Sequence, residues 1–355
     1  MDHRFFSSLD ENCSLQVLSF LEKQKVAVEQ YPGWPQITGS TQTYTHYIGY
    51  QNQKVVCYAQ IGESPLRIAD IQFGPIFTDR EIAVQSILCI KEHYQKRHFI
   101  ALKIQLWVPV GTDTEYIDQN LSLHNTLYHF VSKDENWSTL QLDLNSSDED
   151  LFRNFSKGHK SAIKKAQKAG IKVIEAQTLQ QVEDFCEIYV KMNQFRSLEV
   201  DRTKVYSFFS DIFHSMKKRD AGAFLNVVDA SGKSIGGIVL LRQNNVVRYF
   251  KGAADPDSRE IPVLHCAIWE AIKFCRKWNA HTFDLWGYCL LADEKDQRYN
   301  INIFKKGFGG TLVIFPKTMY IAINPFLFLL YRFGYRESKS ILLKARKKLT
   351  GGRKK

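Results

Sequence analysis

The hydrophobic and polar positions of the chain predict the same order of elements twice, about 180 residues apart. In each copy, alternating apolar residues form a β-hairpin and a strand, an amphipathic helix follows, and an apolar strand ends the set. The first copy is predicted at 47–61, 66–73, 81–96 and 98–107, and the second at a hairpin turn, 229–233, and then at 246–252, 262–277 and 281–288. A duplicated α/β unit predicts two lobes with a cleft between them, where ligands usually bind.

A polar stretch separates the two predicted lobes. We place the first lobe at 1–146 and the second at 147–316, and we expect the segment 317–355 to pack back on the first lobe. The segment 148–169 is predicted as one helix, because Ser147 is a suitable N-cap and acidic residues follow it. The expected fold class is therefore α/β (α+β), with two tandem lobes.

Composition narrows the class of protein. Of the 355 residues, 44% are hydrophobic and 24% are charged, as in a folded domain. The seven cysteines form no CxxC pair and the ten histidines show no metal-ligand spacing, so we expect reduced thiols and no metal. The N-terminus lacks a signal-peptide pattern, and the most apolar stretch, 319–335, is too short to span a bilayer. These features predict a cytoplasmic protein.

The positive charge is concentrated near the C-terminal end. The formal net charge is +11, and residues 336–355 hold nine lysines and arginines against one acid, Glu337, which gives this basic tail +8. A basic tail next to the apolar residues 326–331 predicts that 326–355 contact anionic lipid at the inner face of the plasma membrane, at about 1 kcal/mol per basic residue. A solvated terminus or a nucleic-acid contact would explain the same charge.

A second group of basic residues repeats at helical spacing. On a continuous helix its members fall within an arc of roughly 80°. They are Arg153, Lys157, Lys160, Lys164 and Lys168. This lysine stripe can bind the phosphates of a nucleic acid, a polyphosphate or a phospholipid-linked substrate. A lysine-rich face that only meets solvent would show the same spacing.

The main candidate for chemistry is the segment Phe304-Lys305-Lys306-Gly307-Phe308-Gly309-Gly310. Phe304 and Phe308 can anchor it in apolar surroundings, which leaves one lysine directed into the predicted cleft. A lysine held in this way can stabilise an oxyanion or bind an anion. The GxxxxGK[ST] spacing of a phosphate-binding loop is absent, and a plain β-turn is the alternative interpretation.

Each repeat resembles the fold of the acetyl-CoA-dependent N-acetyltransferases, the GNAT fold. In that family a hairpin and a strand precede a helix and a further strand, and a glycine-rich loop at the start of the helix holds the CoA pyrophosphate. The matching links of this chain, 77–80 and 255–262, contain no glycine. The resemblance therefore extends to the fold but not to the usual CoA site.

A tandem fold of this kind resembles the Fem aminoacyltransferases (FemA, FemB and FemX), which build peptidoglycan interpeptide bridges from aminoacyl-tRNA. The similarity covers most of residues 30–315 and is greatest from about residue 150. The matching segments of the second lobe are Lys157-Gly158-His159-Lys160-Ser161-Ala162-Ile163-Lys164-Lys165-Ala166, Tyr249-Phe250-Lys251-Gly252-Ala253, Phe283-Asp284-Leu285-Trp286-Gly287 and Phe304-Lys305-Lys306-Gly307-Phe308-Gly309. The first lobe matches through Gly33-Trp34 and Phe73-Gly74-Pro75-Ile76.

The resemblance implies a set of site residues. Lys305 matches the conserved cleft lysine of the family and is the expected catalytic residue, while Phe304, Asp284 and Tyr249 are expected to form the cleft. Arg196 matches a phosphate-binding arginine, one place out of register. The stripe residues expected to bind substrate phosphates with it are Lys157, Lys160, Lys164 and Lys168.

Two residues expected from the family are replaced. Where the family often has an acid after the last strand of the first lobe, this chain has Gln105. Where it has a lysine shortly after the tryptophan of the first lobe, this chain has Thr38. The resemblance therefore supports the acyl-transfer lobe more strongly than the pocket for the nucleotide-linked substrate.

The resemblance implies an amide-forming aminoacyltransferase without a cofactor. Its donor would be aminoacyl-tRNA, and its acceptor an amine of a lipid-linked or UDP-linked peptidoglycan precursor. The first alternative is an acyltransferase that uses acyl-CoA and modifies a cell-surface polysaccharide or lipid precursor. The second is a non-catalytic module that binds nucleic acid or membrane through its basic residues alone.

Overall fold

The computed structural model of the chain describes residues 1–24, 26–37, 42–123, 127–129 and 138–336. The chain forms two compact units. The first comprises Met1–Leu21, Gln42–Val131 and Pro316–Lys355, and the second comprises Glu22–Thr41 and Ser132–Phe315. Among the described residues, no helix is both long enough and apolar enough to cross a membrane.

The elements alternate between strands and helices along most of the chain. The strands are β1 (Asp2–Phe6), β2 (Thr43–Gln51), β3 (Lys54–Glu63), β4 (Ile68–Ile71), β5 (Ile76–Phe77), β6 (Ala101–Ile104), β7 (Leu127–His129), β8 (Ser138–Asp143), β9 (Lys172–Glu175), β10 (Gly222–Val228), β11 (Ser234–Gln243), β12 (Val246–Ala254), β13 (Thr282–Asp284), β14 (Thr311–Ile314) and β15 (Met319–Ala322). The α-helices are α1 (Glu11–Leu21), α2 (Trp34–Ile37), α3 (Arg80–Lys96), α4 (Thr112–Ser122), α5 (Asp148–Asn154), α6 (Lys157–Lys168), α7 (Leu179–Phe195), α8 (Arg202–Arg219), α9 (Val263–Cys275), α10 (Gln297–Lys306) and α11 (Pro325–Leu330). A π-helical turn, Tyr331–Arg336, follows α11.

Each unit contains one sheet, and the predicted fold class is confirmed. The first sheet has the order β1-β2-β3-β4-β6-β15-β7 with β5 beside β3, and the second has the order β14-β8-β13-β12-β11-β10-β9. In the first, the hairpin β2–β3 precedes a parallel pair, β4 and β6, joined through α3. In the second, the hairpin β10–β11 precedes a parallel pair, β12 and β13, joined through α9. The predicted repeat is therefore present in both sheets.

The boundary between the units differs from the one predicted at residue 146. β8, which the sequence analysis assigned to the first lobe, pairs with β13 and β14 of the second sheet. The segment that contains α2 also belongs to the second unit, where the Trp34 and Phe250 ring centroids are 6.0 Å apart. Strand pairing, rather than order along the chain, determines which unit each segment joins.

The predicted single helix 148–169 is two helices, α5 and α6. Ser147 caps α5 as expected, by accepting a hydrogen bond from the Asp150 N–H. The helix then breaks because Phe155 adopts an extended conformation, with φ −66° and ψ 148°. Ser156 caps α6 by accepting a hydrogen bond from the His159 N–H. The break lies before Gly158 and separates Arg153 from the four lysines of the stripe.

Two hydrophobic clusters cover the faces of the second sheet. On one face, residues of α5, α6 and α9 pack against β11, β12 and β13, with Ile163, Ile268 and Phe283 fully buried. On the other, α7 and α8 pack against β10, β11 and β12, with Phe185 and Val239 fully buried. Apolar helix faces therefore cover both sides of this sheet.

A helix that the sequence analysis did not predict, α10, carries the Lys305 segment. Asp296 caps its start by accepting a backbone hydrogen bond, and Gly307 follows its last residue. Phe304 and Phe308 anchor the end of the helix, since Phe308 is fully buried and the two ring centroids are 5.3 Å apart. Lys305 therefore lies in the last turn of a helix and not in a plain β-turn.

The start of α6 holds this helix end in place. His159 Nε2 donates a hydrogen bond to the Phe304 carbonyl at 2.8 Å, and the Ser156 N–H donates to the Gly307 carbonyl at 2.8 Å. Because a carbonyl only accepts, Nε2 carries the proton, and the Ser156 hydroxyl donates to Nδ1 at 3.0 Å. Burial lowers the pKa of His159, in keeping with a neutral ring. The ring lies so close to Gly307 that a Cβ there would overlap it.

We predict that Gly307→Ala destabilises the second unit by about 1–3 kcal/mol, because the added methyl group must displace the His159 ring. The measurement is the free energy of unfolding in urea. Gly158→Ala is the matched control: the nearest atom to its Cβ is Ser156 Oγ at 3.9 Å, and alanine in a helix should add up to about 1 kcal/mol. Equal stability of Gly307→Ala and the wild type would contradict the packing described here.

Candidate active site

Strands β12 and β13 pair over only three residues before they separate. Their parallel ladder ends at Arg248 and Asp284. β13 stops there, whereas β12 continues to Ala254 and contains a β-bulge opposite Val239 and Leu240. Ligands of open α/β sheets commonly bind beyond the carboxyl ends of parallel strands. We therefore expect the site of the second unit at the end of this ladder.

A polar row crosses the sheet at this point. Arg248, Asp284, Gln141 and Thr311 are neighbours in register on four strands, so their side chains lie on one face. Arg248 and Asp284 are only 5% and 1% exposed. Charged residues are rarely buried to this degree in a purely structural core, and buried charges are often found at functional sites.

Lys305 reaches this region from α10, with a side chain that is almost fully buried (7% exposed). Its ammonium group donates hydrogen bonds to the carbonyls of Trp286 and Gly287, the latter at 2.9 Å. Both of these residues have positive φ angles, 50° and 53°, which turn their carbonyls towards the lysine. An ammonium has three donors. Two are occupied by carbonyls, which leaves one for a reacting group.

Burial lowers the pKa of Lys305 to about 8, because the charged form is poorly solvated. Two charges modify this effect: Asp284 raises the pKa and Lys251 lowers it. At neutral pH most of the lysine is therefore charged, but its proton is held far less strongly than that of an exposed lysine. Such a group can stabilise a developing negative charge.

The Asp284 carboxylate is fixed by three donors. It accepts hydrogen bonds from the Thr139 hydroxyl at 2.5 Å, from Gln141 Nε2 at 3.3 Å and from the Trp286 N–H at 2.7 Å. These contacts fix the position of its two oxygens at the base of the site. Asp284 therefore supplies a fixed negative charge near Lys305 and orients the backbone of Trp286.

Arg248 holds Trp286 from the other side. Its guanidinium lies 3.8 Å from the Trp286 ring centroid and donates to both carboxylate oxygens of Glu29, at 3.0 and 3.2 Å. A non-glycine residue with positive φ costs on the order of 1 kcal/mol. The stacked guanidinium and the carboxylate of Asp284 together stabilise this conformation, and with it the carbonyls that bind Lys305.

Tyr249 and Arg196 lie on the β12 side of the same region. Tyr249 is the first residue of β12 beyond the ladder, and burial raises the pKa of its hydroxyl. The charge of Arg196 acts in the opposite direction on that pKa. Arg196 itself is exposed at the C-cap of α7. The structure thus brings Tyr249, Asp284 and Lys305 to one end of the β12–β13 ladder, with Arg196 at its solvent side.

The lysine stripe does not reach Lys305. Lys157, Lys164 and Lys168 are exposed on α6, and Lys160 Nζ donates to the Arg153 carbonyl at 3.0 Å. The buried face of α6 contains His159, which contacts the end of α10. The stripe is therefore a surface feature, and α6 meets the site through its opposite face.

Of the two residues that depart from the Fem pattern, the structure describes Gln105. Gln105 is 5% exposed, and its side-chain amide donates to the Thr318 hydroxyl at 3.4 Å, so an amide occupies the place where the family has an acid. Thr38 lies outside the described residues. In the described part of the chain, no group of three or more histidine, cysteine or acidic side chains could hold a metal ion.

Sequence reasoning missed several groups of the site. The motif Phe283-Asp284-Leu285-Trp286-Gly287 was recognised, but the role of its last two carbonyls depends on backbone angles that a sequence does not show. Lys251 lies in another recognised motif, and only its place beyond the ladder reveals its proximity to Lys305. Glu29 is distant in sequence and gave no signal.

The chain matches two family profiles. The FemAB family profile matches residues 19–219, and an acetyltransferase (GNAT) domain profile matches residues 153–299. No curated protein sequence matches the chain.

Among solved structures, FemX is similar at 17% identity and a TM-score of 0.78, over 93% of this chain and 100% of that one. L-PGS from Bacillus licheniformis matches at 8% identity and a TM-score of 0.58, over 92% and 97% of the two chains. A tandem GNAT protein from the clavulanic acid biosynthesis pathway matches at 10% and 0.56, over 91% and 99%. These likenesses show a shared tandem GNAT fold. Because the FemAB profile covers more than half of the chain, the protein belongs to the FemAB family and is an acyltransferase.

Proposed function

We propose that the protein is a Fem-like aminoacyltransferase that transfers an amino acid from aminoacyl-tRNA to an amine of a peptidoglycan precursor peptide. The observation that carries this proposal is the buried ammonium of Lys305, held by two backbone carbonyls at the end of the β12–β13 ladder. Amide formation from an ester develops negative charge on the carbonyl oxygen, and a positioned cation stabilises that charge.

In the proposed reaction, the acceptor amine attacks the ester carbonyl of the aminoacyl-tRNA. A tetrahedral oxyanion forms and accepts a hydrogen bond from the remaining donor of Lys305. The ester C–O bond then breaks as the amide C–N bond is retained, and the 3′-terminal hydroxyl of the tRNA leaves with the proton of the amine. Gln105 cannot accept this proton as a carboxylate would, so we assign the proton transfer to the substrate itself.

The exposed cations suit a polyanionic substrate. Arg196 lies near Tyr249 at the solvent side of the site, and the stripe residues Lys157, Lys164 and Lys168 are exposed on α6. We assign these residues to the phosphates of tRNA or of the lipid-linked or UDP-linked acceptor. Binding through exposed lysines should weaken as salt is added, because phosphate contacts release bound counterions.

A peripheral contact with the inner face of the plasma membrane would bring a lipid-linked acceptor to the site. The helix α11 exposes large apolar side chains, with Phe326 70% and Leu330 55% accessible. It is anchored by the buried Phe328, whose ring centroid is 5.7 Å from that of Tyr320. The basic sequence 336–355, with a net charge of +8, follows directly. Apolar side chains beside basic ones suit an anionic membrane surface.

The second candidate is an acyltransferase that takes its acyl group from acyl-CoA, as the GNAT domain match suggests. The absence of glycine from the link 255–262 counts against it. The two candidates differ in the ligand that should stabilise the fold. Protection from heat denaturation by aminoacyl-tRNA but not by acyl-CoA supports the proposed function, and the reverse pattern supports the alternative.

We predict that Lys305→Ala lowers kcat by about 10²-fold or more, because it removes the donor that meets the oxyanion. The measurement is turnover with saturating donor and acceptor, together with a circular dichroism spectrum that shows an intact fold. Lys306→Ala is the matched control, since Lys306 is the exposed neighbour on the same helix. Unchanged turnover in Lys305→Ala would contradict the assignment of Lys305 as the donor to the oxyanion.

We also predict a decline in kcat/KM as the pH rises through about 8, the value to which burial lowers the pKa of Lys305. Only the protonated lysine stabilises the oxyanion, so activity is lost as the proton leaves. In Lys305→Arg the decline should disappear, because an arginine remains charged throughout this range. A wild-type profile that stays level up to pH 10, or a decline that persists unchanged in Lys305→Arg, would contradict the role of this group.

We predict that the double substitution Phe326→Ser with Leu330→Ser reduces binding to vesicles that contain anionic phospholipid by tenfold or more. Burial of each apolar side chain is worth about 1.5–3 kcal/mol, so the loss should be visible in a co-sedimentation assay. Leu15→Ser is the control, since Leu15 is an equally exposed leucine on α1. Equal binding of the double variant and the control would show that α11 does not contact the membrane.

A further inference from the structure

Lys251 is a second lysine of the site with no assigned role. It lies on β12 beyond the end of the β12–β13 ladder, directly after the β-bulge at Phe250. Its side chain is partly buried, and burial lowers its pKa. Lys251 follows Arg248 by three residues, as Gly287, whose carbonyl binds Lys305, follows Asp284, the partner of Arg248 in the ladder. In keeping with this placement, the charge of Lys251 lowers the pKa of Lys305.

Within the described residues, Lys251 forms no ion pair and no hydrogen bond with a carboxylate. Its one close ring contact is with Phe250, where Nζ lies 5.4 Å from the ring centroid. The acid near Lys305, Asp284, already accepts three hydrogen bonds from Thr139, Gln141 and Trp286. Asp284 therefore offsets one of the two positive charges, and no carboxylate in the described part of the chain pairs with Lys251.

Two like charges in a poorly solvated place repel each other, and their burial carries a free-energy cost. Charged groups perturbed in this way are often found at functional sites, and a ligand of opposite charge would offset the repulsion. Lys191 of the same unit, by contrast, pairs with Asp255 and Asp257 at 2.6 and 2.7 Å. Lys251 also differs from Lys157, Lys164 and Lys168, which are exposed to solvent, because its own side chain is partly buried.

We propose that Lys251 and Lys305 together form a binding site for a fixed anionic group, a phosphate or a carboxylate, of one substrate. The two ammonium groups approach from different elements, β12 and α10, and Lys305 is oriented by the Trp286 and Gly287 carbonyls. A bound anion lies between them, accepts hydrogen bonds from Lys251 and is attracted by the charge of Lys305, whose one remaining donor is left for the oxyanion. The anionic group of the substrate keeps its charge throughout the reaction, whereas the oxyanion next to it forms only transiently.

The assignment of the anion to a substrate rests on the proposed function. The existence of the anion site does not. A phosphate would come from the terminal nucleotides of the donor or from the carrier of the acceptor. A carboxylate would come from the acceptor peptide. The two sources have the same chemistry at the lysines, and they differ in which small anion competes.

The test is binding of inorganic phosphate and of acetate, in parallel, to the full chain with 13C,15N-labelled lysines. The NMR signals of the Lys251 and Lys305 ammonium groups are followed as each anion is added and as the pH is raised. We expect one of the anions to shift both signals and to raise the apparent pKa of Lys305. In Lys251→Met, binding should weaken by tenfold or more, and the apparent pKa of Lys305 should be higher before any anion is added.

Two further variants keep the result interpretable. Lys251→Arg retains the charge and should retain binding, and Lys306→Met removes an exposed neighbouring charge and should leave binding unchanged. Tighter binding of phosphate identifies a nucleotide or carrier phosphate, and tighter binding of acetate identifies a peptide carboxylate.

The proposal is overturned if neither anion shifts the two signals, or if Lys306→Met weakens binding as much as Lys251→Met does. Anion binding without aminoacyl transfer would leave this site standing and remove the proposed function. Aminoacyl transfer without anion binding would support the proposed function and remove this anion site.

Discussion

A lysine ammonium that is withdrawn from water and held by two backbone carbonyls is the interaction on which the site depends. Lys305 is 7% exposed, and the Trp286 and Gly287 carbonyls replace part of its hydration. The conformation of those two residues is held by Asp284, which accepts a hydrogen bond from the Trp286 N–H, and by the Arg248 guanidinium, 3.8 Å from the Trp286 ring centroid. The lysine itself is held by α10, whose end is fixed by His159. Together these contacts position the Lys305 ammonium group.

The same arrangement explains two features that are costly on their own. Trp286 has a positive φ angle, and a glycine stands at position 307 where the His159 ring leaves no room for a side chain. Strained backbone and close approach of this kind are commonly found where a structure must present particular atoms. Here the strain directs carbonyls at Lys305, and the close approach fixes the helix that carries it.

The sequence predicted the repeat well because hydrophobic periodicity reports local structure. It predicted one helix at 148–169 because the apolar period continues across Phe155, whereas the capping hydrogen bond of Ser156 starts a new helix there. It missed α10, since Gln297–Lys306 is short and polar on average, and its last turn is fixed by tertiary contacts of Phe304 and Phe308.

Within the site, the quoted motifs named Lys305 and Asp284, and the structure places both at one end of the ladder. The roles of Lys251 and Arg248 could not be predicted, because they depend on where two strands separate and on a bulge in β12. Glu29 pairs with Arg248 across 219 positions of the chain, and no local pattern links them. Residues that act through long-range contacts are the part of a site that sequence patterns leave out.

The most direct test of the account is the mass of the product. The purified protein would be incubated with mixed aminoacyl-tRNA, acyl-CoA esters and lipid-linked or UDP-linked muropeptides, and the muropeptides weighed by mass spectrometry. The account predicts a muropeptide heavier by one amino acid residue, formed only when aminoacyl-tRNA is present. A muropeptide heavier by an acyl group from acyl-CoA, or muropeptides of unchanged mass, would contradict it.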